Sequence, residues 1–338
     1  MLVQRSIDFR NLVWYTRGGI LFMAIYSAAV VIVYGIFGLK FVSIPWAVIP
    51  VVGVAVSFYL GFKNNSAYDR TWEARKIWGG IVNSSRTWGI MARDFVQDMD
   101  GIAGWSEEQL KKMHRKLIYR QIAWLYKHRR QLLEHRTWEH YEPHNEPYRL
   151  SLAKNFFNLS REEEIQSFLD PEELKSIMNA KNPATQLIAN QSADITQLRK
   201  DGVITDYQYV KLAGLLEEFY TLQGKNERIK NFPLPRQYAT SSMLFTILFI
   251  FLLPLGLVEA FDKMGTWMVW MTIPFTVIVG WVFLIMEIVG DYAENPFEGL
   301  AFDIPMTSLC RTIEIDLREM LGETDLPEPI KPVGNVLL

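Results

Sequence analysis

The stretch FYLGFKNNSAYDRTWEARKIWGG, residues 58–80, joins two kinds of sequence without a break between them. Its first five residues are typical of a membrane helix, and the eighteen that follow are typical of the surface of a soluble helix. No proline interrupts the stretch, and no glycine follows Gly61 until Gly79. Because proline and glycine are the residues that most disfavour helix, the pattern predicts one helix that leaves the membrane and continues in water.

Four long runs of the sequence contain no charged residue. They are residues 18–39, 41–62, 238–258 and 264–286, each 21 to 23 residues long. About 20 apolar residues span a bilayer core of about 30 Å. Buried helices of a large soluble protein are the alternative, but four such runs in 338 residues favour membrane spans. The first run is too long for the apolar part of a cleaved signal peptide.

Basic residues cluster on one side of these runs. They are Arg5, Arg10 and Arg17 before the first run, Lys63, Arg70, Arg75 and Lys76 after the second, and Arg228, Lys230 and Arg236 before the third. The positive-inside rule then places both termini and the long middle segment in the cytoplasm. The predicted organisation is a cytosolic segment 1–17, a first membrane pair 18–62, a cytosolic helical region 63–237, a second membrane pair 238–286, and a cytosolic C-terminal segment with an extended tail 287–338.

The polar middle segment is predicted to be helical. Signatures of helix starts occur at residues 106–109, 160–163, 170–173, 182–185 and 205–208. No alternating pattern typical of β-strands accompanies them, so the predicted fold class is an all-α integral membrane protein. The tail DLPEPIKPV, residues 325–333, is too rich in proline for a helix and is predicted to be extended.

Composition and motifs exclude several classes of function. A net charge of −2 leaves no basic excess for nucleic acid. The single cysteine, Cys310, rules out an internal disulfide and is best interpreted as a packed thiol. The sequence contains no P-loop, GxSxG, HExxH or dinucleotide-binding motif, so we predict no catalytic residue and no cofactor.

A group of histidines offers the one candidate metal site. His135, His140 and His144 lie close to Glu139 and Glu142 in the sequence. Imidazole and carboxylate groups are zinc ligands, but these spacings match no standard ligand pattern. We therefore predict a solvated helix end and loop here, and no bound metal.

The membrane part of the opening helix has a repeated apolar face. Val54, Phe58 and Phe62 recur at i, i+4 and i+8, so they lie on one side of the helix. Periodicity alone fits ordinary contact with lipid or with a helix bundle as well as any special role.

Three stretches resemble the bestrophin family, in its prokaryotic branch: residues 58–86, FYLGFKNNSAYDRTWEARKIWGGIVNSSR; residues 227–235, ERIKNFPLP; and residues 294–314, ENPFEGLAFDIPMTSLCRTIE. The resemblance covers most of the chain and is weakest around 135–180. It implies a homopentameric ion channel in the cell inner membrane, with four membrane helices per subunit around a central pore and a large helical cytosolic region. The implied partners are further copies of the chain, the lipid bilayer and small permeant ions.

The resemblance also implies which residues narrow the pore. Val54, Phe58 and Phe62 match the family's hydrophobic neck, where each would form a ring of five. A second constriction at the cytosolic exit falls on Tyr207 or Gln208. Animal members activated by calcium carry consecutive acidic residues after the motif NPF, whereas this chain offers only Glu298 and Asp303. Since calcium takes six to eight oxygen ligands, we expect no activation by calcium through this loop.

The side chains of the neck bear on which ions pass. Valine and phenylalanine offer no groups to replace an ion's hydration shell, and narrow apolar constrictions gate by dewetting. Phenyl edges carry positive potential, which slightly favours anions such as chloride over the alternative, a sodium channel of the same fold. Two further hypotheses are a membrane-anchored scaffold or sensor with a vestigial pore, and a membrane enzyme that uses the histidines. The charge-free runs argue against a proton-coupled transporter.

Overall fold

The computed structural model describes residues 1–5, 9–98, 101, 103–140 and 163–338. Its α-helices are α1 (Phe9–Val31), α2 (Val48–Phe95), α3 (Glu107–Leu132), α4 (Pro171–Asn179), α5 (Pro183–Lys200), α6 (Asp206–Asn231), α7 (Arg236–Asp262), α8 (Thr272–Ala293) and α9 (Met306–Met320). Short helical turns follow α1 at Ile32–Ile36 and precede α8 at Met268–Met271. Within these residues there are isolated β-bridges near the chain ends but no strand, so the predicted all-helical fold class is confirmed.

The chain forms two compact units. The membrane unit comprises Gln4–Thr71 and Pro233–Asn295, and the polar unit comprises Met1–Val3, Trp72–Phe232 and Pro296–Leu338. The division falls inside α2, which runs through 48 residues without interruption. The predicted continuous helix over residues 58–80 is therefore confirmed.

Three helical segments of the described residues are long and apolar enough to cross a membrane: Phe9–Ile36, Arg236–Asp262 and Met268–Ala293. The second charge-free run differs from the expectation, because a short 3-10 turn at Lys40–Val42 begins it and the α-helix starts only at Val48. Pro45 has no N–H to donate and restricts the residue before it, so the chain turns there before α2 begins. About 15 apolar helical residues remain, which span about 22 Å and fall short of a bilayer core.

The membrane unit is packed around the apolar part of α2. Ile49, Val56 and Leu60 are buried against α7, where they meet Phe249 and Leu253. The two helices approach closely at Gly256 of α7, because a Cβ atom there would collide with the Ile49 side chain. This packing determines which side of α2 contacts neighbouring helices and which side is left exposed among the described residues.

The predicted helix starts agree with the structure where it describes them. The Ser106 hydroxyl accepts a hydrogen bond from the Gln109 N–H at 3.2 Å, and the Gln109 side chain accepts one from the Ser106 N–H at 2.8 Å. Thr205 and Gln208 form the same reciprocal cap at the start of α6. The signature at 160–163 lies mostly outside the described residues. The tail 325–333 contains no helix, which fits its proline content.

The polar unit has a core of large aromatic side chains with a histidine inside it. The His128 ring stacks on Trp124 at 5.5 Å between centroids and faces Trp78 at 6.1 Å. The Asn226 amide lies 3.0 Å from His128 Nε2. Burial among these rings lowers the pKa of His128 from 6.5 to about 3, because a charged imidazolium would lose its water there.

This buried histidine predicts acid sensitivity of the fold. Below pH 6.5 the unfolded chain binds a proton that folded His128 excludes, so the protein loses about 1.4 kcal/mol of unfolding free energy per pH unit as the pH falls towards the folded pKa. His128→Phe removes this titration and flattens the slope, whereas His114→Phe in the same helix keeps it. Thermal unfolding followed by tryptophan fluorescence between pH 7 and about pH 5 measures both slopes. Equal slopes in wild type and His128→Phe would contradict this assignment.

Candidate pore-lining site

The face of α2 that carries Val54, Phe58 and Phe62 is largely uncovered by the described residues of the chain. Their exposed fractions are 57%, 66% and 64%. On the opposite face, Val56 and Leu60 are buried. The three residues therefore share one exposed side, in agreement with their i, i+4, i+8 spacing.

A buried ion pair holds the end of this apolar stretch. Lys63 is fully buried, and its Nζ lies 2.5 Å from Oε1 of Glu287 and 3.7 Å from Oδ1 of Asp291 on α8. The second carboxylate oxygen of Glu287 accepts a hydrogen bond from the Ser242 hydroxyl on α7 at 2.5 Å. A charge at this depth is costly unless it is paired and hydrogen-bonded, and here both conditions are met.

The pair fixes the rotation of α2 about its own axis. Successive residues of an α-helix are about 100° apart, so Lys63 cannot point towards α8 unless Phe62 points elsewhere. The sequence pattern indicates only that Lys63 is a basic residue flanking a span, and it does not predict that Lys63 is buried in an ion pair. A signal was nevertheless present, because Lys63 and Glu287 each directly follow a charge-free run.

A second set of contacts ties α2 to the end of α8. The Arg70 Nε–H donates to the carbonyl of Glu294 at 2.8 Å, and the Thr71 hydroxyl donates to the carbonyl of Ala293 at 2.7 Å. The Glu294 carboxylate pairs with Arg236, the first residue of α7, at 3.0 Å. These bonds use carbonyls that the end of α8 leaves without helical partners.

The two candidates for the second constriction differ in their surroundings. Gln208 is committed to the helix cap, where its side-chain oxygen accepts from the Thr205 N–H at 2.8 Å. Tyr207 is 88% exposed. Sequence spacing alone did not separate the two residues, whereas the cap geometry distinguishes them.

The loop that matches the calcium-binding region has internal partners for its carboxylates. Glu298 is buried and accepts from the His140 N–H at 3.1 Å, with the His140 ring nitrogen Nδ1 at 3.2 Å. Asp303 is also buried and accepts from the Leu300 N–H at 2.9 Å. Burial, together with the nearby Glu298 charge, raises the pKa of Asp303 to about 7. The sequence did not foresee the pairing of His140 with Glu298.

The prediction of a solvated loop is wrong for Glu139 and His140, whose side chains are 4% and 11% exposed and contact Lys230 and Glu298, whereas His135 is exposed. Glu139 forms a buried ion pair with Lys230 and accepts a hydrogen bond from the Arg136 N–H at 3.0 Å. His144 and Glu142 lie outside the described residues. No cluster of three or more histidine, cysteine, aspartate or glutamate side chains suited to a metal occurs in the described ranges.

Cys310 is fully buried in α9, with its sulfur 3.6 Å from the carbonyl of Leu125. Burial raises the pKa of its thiol to about 12, so the reactive thiolate is scarce at neutral pH. This agrees with a packed thiol rather than a nucleophile.

The sequence of the chain matches a known family. The family model described as Bacterial/Fungal Bestrophin protein covers residues 17–319. The chain belongs to the bestrophin family. Bestrophins are ion channels of membranes and not enzymes, so the predictions of a membrane ion channel and of no enzymatic activity are confirmed.

Curated relatives agree with this assignment. A voltage-dependent anion channel-forming protein of Escherichia coli (strain K12) is 24% identical over 311 residues, which cover 91% of this chain and 87% of that protein. Another protein of the same description, from Mesorhizobium japonicum, is 25% identical over 331 residues, covering 96% and 93%. A crystal structure of a bacterial bestrophin homologue from Klebsiella pneumoniae, at 23% identity, superposes with a TM-score of 0.74 over 90% of this chain and 97% of that one.

The buried ion pair of this bestrophin leads to a stability prediction. Lys63→Met leaves Glu287 without its cationic partner, and removing one member of a buried pair costs about 3–5 kcal/mol of unfolding free energy. Lys40→Met is the matched control, since Lys40 pairs with Asp262 in the same unit but is 56% exposed, and such pairs contribute about 1 kcal/mol or less. Unfolding in detergent measures both variants. Equal losses in the two would contradict a special role for Lys63.

Proposed function

We propose that this bestrophin is one subunit of a homopentameric channel in which Val54, Phe58 and Phe62 form a hydrophobic neck around the axis. The observation that carries the proposal is the exposure of all three side chains on one face of α2. Five copies would bring this face together and bury it, which is the usual way that a closed symmetric ring covers an apolar surface. A stable monomer in native mass spectrometry would contradict the ring.

Lipid is the other environment that suits exposed apolar side chains, but the rest of the face favours a pore. Asn65 and Asp69 follow Phe62 by three and seven residues, which keeps them on the same face of the helix, and both are also exposed. The face thus changes from apolar to charged along one line, as expected for a helix beside a water-filled path. A helix inside a ring of other spans also needs less than a full bilayer-length apolar run, which accounts for the short apolar part of α2.

The membrane arrangement follows from this proposal. We infer four membrane helices per subunit, with α2 as the innermost, in the inner membrane and with both termini in the cytoplasm. The basic flanks of the spans support this orientation. The proposed divisions remain 1–17, 18–62, 63–237, 238–286 and 287–338.

Permeation through such a neck depends on water and on ring geometry. Rings of valine and phenylalanine coordinate no ion, so the neck would open and close by wetting. Phenyl edges facing the axis favour anions, and the names of the relatives refer to anion channels. We therefore propose chloride as the favoured ion, with a sodium channel of the same fold as the alternative. Reversal potentials in asymmetric sodium chloride separate the two.

For the second constriction we propose Tyr207 rather than Gln208. The Gln208 side chain already satisfies a helix cap, whereas Tyr207 is free to extend from the start of α6. A scaffold or sensor with a vestigial pore is the remaining alternative, and it predicts no current from purified protein in a planar bilayer.

The neck can be tested by shortening its side chains. Replacing Val54, Phe58 and Phe62 together by alanine widens the constriction and lowers the cost of wetting it, so single-channel conductance or open probability rises. Leu244→Ala with Leu248→Ala is the matched control, because these α7 side chains are similarly exposed at 55% and 50%. Single-channel recording measures both. Unchanged currents in the triple variant would show that this face does not line the pore.

Calcium should not activate the channel. Glu298 and Asp303 already accept hydrogen bonds within the chain, and two separated carboxylates leave most of the six to eight calcium positions unfilled. We expect the same current in about 1 µM calcium and in chelator. A current that disappears in chelator, returns with calcium and is abolished by Glu298→Ala would contradict this interpretation of the loop.

A further inference from the structure

Most charged residues near the point where α2 leaves the membrane unit have partners. The basic residues Lys63, Arg70 and Arg236 each contact the last turns or the C-terminal cap of α8. One acidic residue of the same stretch stands apart. Among the residues that the structure describes, no hydrogen bond or ion pair reaches the carboxylate of Asp69, and its side chain is exposed.

Asp69 lies on the proposed neck face. It follows Phe62 by seven residues, which is two turns of helix, so the two side chains project from the same side of α2 about 10 Å apart along the axis. Asn65, between them on this face, is uncharged and exposed. Asp69 is therefore the first charged group that an ion meets beyond the Phe62 side chains.

The next charges along this face do not cancel it. Glu73 and Lys76 follow Asp69 by four and seven residues, and they pair with each other at 2.7 Å. Arg70, the direct neighbour of Asp69, is turned towards the carbonyl of Glu294. The carboxylate of Asp69 is left as an uncompensated negative charge beside the path.

We propose that Asp69 is a selectivity-determining residue, which forms a ring of five carboxylates at the inner mouth of the neck and opposes the passage of anions. The inference rests on the proposed pentamer and neck. Rings of acidic side chains concentrate cations in channel mouths. The ring counteracts the anion preference of the phenyl edges, so the ratio of anion to cation permeability is a balance between Asp69 and the neck.

The size of the effect follows from Coulomb's law. Five unit charges lie about 10 Å from the neck in water, and this distance equals about one Debye length at 0.1 M salt. The resulting potential enriches a monovalent cation about threefold at the neck and depletes a monovalent anion to a similar degree. Removing the ring should therefore raise the chloride-to-sodium permeability ratio about tenfold. At 1 M salt the Debye length falls to about 3 Å, and the difference should nearly vanish.

The test compares Asp69→Asn with Asp69→Glu, which retains the charge. Reversal potentials in sodium chloride gradients near 0.1 M should show the increased ratio for Asp69→Asn and the wild-type ratio for Asp69→Glu. The same reversal potential in wild type and Asp69→Asn would overturn the proposal. If wild-type protein carries no current at all, the proposed channel function fails and this inference fails with it.

The charge at position 69 can also be restored chemically in the assembled channel. A change in selectivity on restoring it cannot come from a folding defect. Asp69→Cys is accessible to methanethiosulfonate reagents, whereas the native Cys310 is buried and has a raised thiol pKa. A negatively charged reagent should return the ratio to the wild-type value, and a positively charged one should raise it further. Identical effects of the two reagents would overturn the role of charge at this position.

Discussion

The buried contact between Lys63 and Glu287 is the constraint on which the arrangement of the membrane unit depends. A lysine ammonium at this depth requires a carboxylate, and the carboxylate has a second partner in the Ser242 hydroxyl. Three helices, α2, α7 and α8, therefore meet at one point. Once Lys63 points inward, helical geometry turns the side of α2 that bears Phe58 and Phe62 outward.

The continuity of α2 is the second determinant of the structure. The same helix supplies Leu60 to the core of the membrane unit and Trp78 to the core of the polar unit. A helix needs no change of backbone to pass from one environment to the other, because all of its interior hydrogen bonds are internal. Only the side chains change, from valine and phenylalanine to asparagine, aspartate and lysine. The exposed face of this helix therefore has an apolar part followed by a charged part.

Charge pairing separates the residues that stabilise the fold from those that are available for function. The sequence shows Lys63, Arg236 and Glu298 as charged residues without an evident partner, and each has a partner in the structure. Lys63 and Glu298 are buried, and buried ionic groups are costly when one partner is lost, so these two residues are best understood as structural. The carboxylate of Asp69 is exposed and has no ion pair among the described residues, and we propose that this group acts on passing ions.

The sequence by itself determined the family, the all-helical class and the single long helix, since these depend on local patterns: runs without charge, capping residues, and the absence of proline in residues 58–80. It also placed Val54, Phe58 and Phe62 on one side of α2, which periodicity alone determines. Only the tertiary structure decided which side of α2 is buried, that Lys63 is enclosed, and that His140 meets Glu298. These contacts join residues more than 150 positions apart in the chain. The charge-free runs distinguish Lys63 and Glu287 from other charged residues, but no local pattern identifies the two as partners. The pairing arises from the packing of whole helices, which cannot be predicted from any short stretch of the sequence.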